Sequence, residues 1–157
     1  EIRAVLMTRK ARRELDIFFI DYLNLIHIPY TRGSRNETTD LALGDVVRKV
    51  KLMAVELDVP AVLLAQMNRD SDRRLAPYLP ILSDLRNSGV IEQVADQVIF
   101  VYRAEKYGIL YDKDTKEDLR GVGYLLVAKN RNGATGRARF RYNVSMTRFL
   151  SYENRLL

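Results

Sequence analysis

An α/β fold with a mostly parallel sheet is predicted by three features of the sequence. Two short apolar runs, Ile17-Phe18-Phe19-Ile20 and Pro60-Ala61-Val62-Leu63-Leu64-Ala65, read as strands covered on both faces, as strands of parallel sheets are. A long segment with apolar residues at helical spacing lies between them. Each run ends on a polar side chain, Asp21 after the first and Gln66 after the second. The carboxyl ends of parallel strands are where open α/β sheets hold their ligands.

Residues 1–14 read as a helix with a basic side, because Ile2, Val5 and Leu6 recur at helical spacing among Arg3, Arg9, Lys10, Arg12 and Arg13. The strand over 16–20 follows, then a loop over 22–36 carrying Pro29 and Gly33. Ser34 and Glu37 have the spacing of a capping box, so a helix is expected from there to about Asp58. Its apolar stripe is Leu43, Val46, Val47, Val50, Met53, Ala54 and Leu57; Arg48, Lys49 and Lys51 lie off it. Strand, helix and strand in that order imply a parallel crossover. The polar, proline-containing stretch 67–82 reads as a functional loop. A short helix over Gly89–Ala95 and a strand over Gln97–Tyr102 come next. The charged and tyrosine-rich residues 104–120 read as a surface excursion, and Val122–Ala128 as a fourth strand. Asn132-Gly133 signals a turn, followed by strict alternation over Arg137–Tyr142 and a last strand within Thr147–Tyr152.

A chain of 157 residues with 47% hydrophobic content can bury a core of one domain. The absence of cysteine excludes disulfides and thiolate chemistry and agrees with a cytosolic setting. No stretch has the length of a membrane span, and no membrane partner is expected. The net charge of +6 permits a polyanionic partner. The single histidine, His27, excludes a multi-histidine metal site and reads as a surface or partly buried side chain. The chain opens on Glu1 rather than Met, which suggests a piece of something longer.

Polar groups cluster where the apolar strands end: Asp21, Gln66, and the pair Lys129 and Arg131. If those strands are parallel, the groups share one edge, and together they suit an anionic ligand. Asp21 can hold a magnesium ion near phosphates, or simply terminate its strand and cap the turn. The Gln66 amide can donate to a phosphate and accept from a neighbour, or make an ordinary strand-end hydrogen bond. Lys129 and Arg131 stand on one face if the strand continues through them; otherwise they are solvated cations beside a turn. Arg137, Arg139 and Arg141 read as a solvent-facing stripe rather than a phosphate contact.

The order of these segments is recognisable. Ile20-Asp21-Tyr22-Leu23, Ala65-Gln66-Met67-Asn68-Arg69, the stretch Ser83-Asp84-Leu85-Arg86-Asn87-Ser88-Gly89-Val90-Ile91-Glu92-Gln93, and Lys129-Asn130-Arg131-Asn132-Gly133 resemble the motor domain of DnaB-type replicative helicases over about residues 1–150. The resemblance implies a RecA-like three-layer fold, mostly parallel with antiparallel C-terminal strands and incomplete here, belonging to a cytoplasmic, homo-hexameric enzyme. Such an enzyme uses ATP and Mg2+ to move on single-stranded DNA in the 5′ to 3′ direction, with primase and a helicase loader as partners. Carried over by position, Asp21 matches the magnesium residue of the Walker B strand. Gln66 matches the residue that couples nucleotide state to the DNA loop. Arg86, Asn87 and Gly89 match that DNA-backbone loop. Lys129 and Arg131 match the pair that reaches the γ-phosphate of the adjacent subunit. Asn87 departs from the glutamate that many members carry there.

No glycine in the chain is followed by lysine, so the phosphate-cradling Gly-x-x-x-x-Gly-Lys-Ser/Thr loop is not among these residues. The chain therefore reads as the C-terminal portion of a motor, expected neither to bind ATP tightly nor to hydrolyse it alone. A RadA-type recombination ATPase is a second reading, opposed by the long Ser-Asp-Leu-Arg stretch. A non-catalytic adaptor that keeps the fold is a third, and the missing phosphate loop is its support.

Overall fold

The computed structural model describes residues 1–26, 37–68, 79–85, 88–143, 145 and 148–152. The chain separates into two compact units, Glu1–Asn68 with Leu85–Ala95, and Arg69–Asp84 with Asp96–Leu157.

The first unit is a pair of parallel strands backed by helices. Helix α1 spans Ile2–Ala11 and strand β1 spans Phe18–Ile20; helix α2 runs over Glu37–Leu57 and leads to β2, Ala61–Leu63. The strands are parallel in the register Phe18↔Ala61, Phe19↔Val62, Ile20↔Leu63. The expected strand–helix–strand order is therefore present; the capping residue Ser34 and the histidine His27 lie outside the described residues. The stripe of α2 packs as its spacing predicts. Leu43, Val47, Val50 and Leu57 are buried, with Val46, Met53 and Ala54 against them. Phe18 and Leu6 close one side of this core.

One expectation fails here. The strands are not covered on both faces: Phe19 is 64%, Val62 39% and Leu64 42% exposed. In α1, Leu6 is buried while Ile2 and Val5 are exposed. Side chains alternate across a strand, and α2 covers one face of a sheet that is two strands wide. Helix α1 is held to α2 by a polar contact as well, a 2.7 Å ion pair between Arg3 and Glu56.

Helix α3, Ser88–Val94, packs against α2. A methyl group at Gly44 of α2 would lie 3.2 Å from Val90, so the glycine permits the close approach of the two helices. The helix expected over Gly89–Ala95 is present one residue earlier, so Gly89 sits inside its first turn.

The second unit is a four-stranded antiparallel sheet of β3 (Gln97–Tyr102), β4 (Val122–Asn130), β5 (Gly136–Asn143) and β6 (Arg148–Ser151), in sequential order. β3 matches its expected bounds, whereas β4 extends two residues further than expected, through Lys129 and Asn130. The segment between β3 and β4 is more than a surface excursion. Its Ala104 and Leu119 are buried with Tyr102, Val122 and Tyr124, because the apolar face of β3 and β4 needs a cover and this segment supplies it.

Candidate functional site

In the first unit the sheet register sets the geometry of the ligand edge. Because β1 and β2 are parallel and Ile20 lies opposite Leu63, Asp21 and the residues following Leu63 leave the sheet at the same carboxyl edge. Two further hydrogen bonds tie the exits together: Leu64 N–H donates to the Ile20 carbonyl at 3.0 Å, and Leu23 N–H to the Leu64 carbonyl at 2.9 Å. The Asp21–Tyr22 peptide bond is cis. Asp21 and Gln66 are both exposed, and among the described residues no hydrogen bond or ion pair engages either side chain.

Met67, next to Gln66, forms an antiparallel bridge with Leu85, the residue before Arg86. The two ends of the long 67–85 connection are thus clasped, with Gln66 and Arg86 each one residue from the clasp. Arg86 and Asn87 lie outside the described residues; Leu85 before them is buried, and Ser88 after them opens α3. Buried Asp84 accepts a hydrogen bond from Ile81 N–H at 2.8 Å and so folds the backbone that approaches this segment.

In the second unit Lys129 and Arg131 are at the end of β4, which is antiparallel to β3. The condition for a common edge, that the strands carrying these groups run parallel, does not hold for β4. The two cations are also not related by strand alternation. β4 stops at Asn130, and Arg131 begins the turn. A bulge decides where Lys129 points. Ile99 pairs with Val127 but Val98 pairs with Lys129, so β4 carries one extra residue there. Such an insertion re-aims the following side chains, here setting Lys129 opposite Val98. The Asn-Gly turn is where the sequence predicts it, and Asn130 Nδ2 donates to the Ala134 carbonyl across it at 3.2 Å.

Arg131 is held by a residue the sequence reading did not single out. Its backbone N–H donates to the Asp96 carbonyl at 2.8 Å, and its guanidinium Nη1 to Asp96 Oδ1 at 3.1 Å. The only sequence signal for this is that Asp96 precedes the third strand, which is uninformative without the register.

The arginine stripe on β5 is exposed at Arg137 and Arg141, as expected, and partly buried at Arg139, and all three side chains meet aromatic rings. Arg137 and Arg139 lie over the Tyr124 ring, and Arg139 and Arg141 over that of Tyr152, at 5.3 to 5.8 Å. Arg139 pairs with Glu117 at 2.9 Å, and Tyr152 donates to the same carboxylate at 2.6 Å. These hydrogen bonds, that of Tyr152 foremost, hold the Glu117 carboxyl below its usual range. Nearby, Glu105 accepts from the Tyr142 hydroxyl at 2.7 Å and from Gly121 N–H at 3.1 Å, which lowers its pKa in the same way. Asp118, bonded to Arg120, is lowered to about 2. Among the described residues no group of histidine, cysteine, aspartate or glutamate is arranged to hold a metal by itself. A magnesium ion at Asp21 would therefore need further oxygens from the nucleotide or water, which suits magnesium. No helix among the described residues is long and apolar enough to cross a membrane.

The comparisons with known proteins agree with one another. The family model for the DnaB-like helicase C terminal domain matches residues 1–151. The chain is similar to the replicative DNA helicase DnaB of Haemophilus influenzae, 40% identical over 144 residues that cover 90% of this chain and 28% of that protein. It is also similar to the DnaB of Leifsonia xyli subsp. xyli, 40% identical over 149 residues, 95% of this chain and 30% of that protein. Among solved structures, that of a DnaB-like replicative helicase and its interactions with primase superposes with a TM-score of 0.77 at 31% identity, over 97% of this chain and 34% of that one. A solved ATPase domain gives the same TM-score and identity, over 97% of this chain and 50% of that one. The chain thus spans under a third of the length of these curated relatives.

Proposed function

Since this chain belongs to the DnaB-like helicase C-terminal domain family, with its RecA-like ATPase fold, we propose that it forms part of an ATP-dependent replicative DNA helicase. The complete protein hydrolyses ATP with Mg2+ and unwinds duplex DNA by moving along one strand as a homo-hexamer, with primase and a loader as partners.

The observation that supports this reading is the common carboxyl edge at which Asp21 and the segment from Leu64 to Gln66 leave the parallel pair, with the Met67–Leu85 bridge just before Arg86. Asp21 is positioned to take part in a magnesium shell beside the phosphates. The Gln66 amide can sense a phosphate and pass its displacement through Met67 to Leu85. Arg86, Asn87 and Gly89 then grip the DNA backbone, with Arg86 supplying charge and the first turn of α3 supplying backbone N–H groups. The Asn87 side chain lacks the charge of glutamate, which leaves the backbone contacts as its contribution. Lys129 and Arg131 serve the neighbouring subunit's nucleotide, where cations neutralise charge that develops on the transferred phosphoryl group. Residues 1–157 contain no phosphate loop and are expected, by themselves, neither to bind ATP tightly nor to hydrolyse it.

The test is Arg131→Ala in the complete helicase chain. An arginine acting across the subunit boundary accounts for about 10³ to 10⁵ in rate. ATPase activity should fall by that order while single-stranded DNA binding persists. Retention of activity would remove the assignment of Arg131.

A further inference from the structure

The ladder between β3 and β4 ends on a doubled contact. Gln97 and Asn130 are the last register pair. Immediately beyond it, Asp96 and Arg131 meet through both backbone and side chain, at 2.8 Å and 3.1 Å. The ion pair is half-exposed, 47% for Arg131 and 46% for Asp96, and such a pair contributes little to stability. What it does contribute is direction. An arginine side chain has several rotatable bonds, and fixing it ahead of reaction removes that freedom before the transition state is reached.

We propose that Asp96 is a positioning residue for Arg131. It anchors the turn at the Arg131 backbone and aims the guanidinium, so that the cation presented to a neighbouring subunit's triphosphate is already ordered. This rests on the reading of Arg131 as the arginine that acts across the subunit boundary. The Asp96 carboxylate never touches the nucleotide. Because the pair is solvent-accessible, an incoming phosphate can share the guanidinium with Asp96, and neither partner is left buried without its counter-charge. The backbone bond survives any change of the Asp96 side chain, so removing the carboxylate should disorder the guanidinium without unfolding the turn.

The experiment uses the complete helicase and steady-state ATP hydrolysis over a range of ATP concentrations. Asp96→Asn should lower kcat about tenfold or more while KM for ATP, hexamer assembly and the thermal midpoint stay at their wild-type values. Asp96→Glu, which keeps the charge, should restore most of the loss. In an Arg131→Ala background Asp96→Asn should cost nothing further, because both act through one guanidinium. An unchanged kcat in Asp96→Asn, a loss of equal size in both backgrounds, or a fall in thermal midpoint alongside the rate would overturn the positioning role. If Arg131→Ala alone leaves kcat intact, the arginine assignment has failed and the role of Asp96 falls with it. If Arg131→Ala is inactive and Asp96→Asn is normal, only the positioning role is lost.

Discussion

The parallel strand pair of the first unit and the antiparallel sheet of the second dispose of their polar groups in opposite ways. In the second unit, acids and bases that interrupt the apolar pattern are consumed by the fold. Glu105 binds Tyr142 and Gly121, and Glu117 binds Arg139 and Tyr152. In the first, Asp21 at the exit of β1 and Gln66 beyond β2 are exposed and engaged by none of the described residues, and Phe19 and Val62 of the strands are exposed. Bonds made within the chain hold a sheet together, whereas groups left available at its edge are what a ligand can use. The contrast is between carboxylates consumed by hydrogen bonds in the antiparallel sheet and polar side chains left exposed beyond the parallel pair. Arg131, at the end of the antiparallel ladder, is half-exposed and yet paired with Asp96.

That contrast can be broken by substitution. The largest effect on stability is expected for Leu119→Ala, which empties a site 4% exposed beneath β3 and β4. It should cost about 2–5 kcal/mol, read as lost hydrogen-exchange protection across β3–β5. A loss below that range would mean that the segment between β3 and β4 is a surface excursion after all.

Acid sharpens the comparison next. Glu105, Glu117 and Asp118 all have pKa values lowered in the folded state, Asp118 to about 2. A group of this kind contributes stability above its unfolded value and loses it as the pH falls through the folded one. The antiparallel sheet should therefore hold constant protection above about pH 5 and lose it progressively towards pH 2. Tyr142→Phe, which removes the leading cause of the Glu105 shift, should shrink that loss. A pH-independent sheet would show that these carboxylates do not matter to it.

The smallest effect is expected for Phe19→Thr on the open face of β1. Measured by urea unfolding of this chain, it should change stability by no more than about 0.5 kcal/mol, since the ring is mostly in water. A cost comparable with Leu119→Ala would mean that the face is covered and the contrast between the units is false.

Much of this was legible in the residues themselves. The α2 stripe, the bounds of β3, the Asn-Gly turn and the parallel pair follow from periodicity and punctuation, which act over a few residues. The position of Asp21 at the exit of β1 follows from the same signals, whereas β2 ends at Leu63 and leaves Gln66 beyond it. Burial did not follow as well. Ile17-Phe18-Phe19-Ile20 looks like a strand enclosed on both sides, yet Phe18 is buried and Phe19 is not. Nor did the arginine stripe reveal its partners, because Tyr124, Tyr152 and Glu117 come from other segments.

The linear order of residues determined where the elements lie, which polar groups end them, and the helicase family to which the chain belongs, because each is written in local spacing. Only the tertiary structure decided which strand faces are covered, that a bulge turns Lys129 to stand opposite Val98, and that Asp96 holds Arg131. Those outcomes depend on register between segments as far apart as Asp96 and Arg131, 35 residues in the chain. Register is set by how whole faces pack, a quantity no short window of sequence contains.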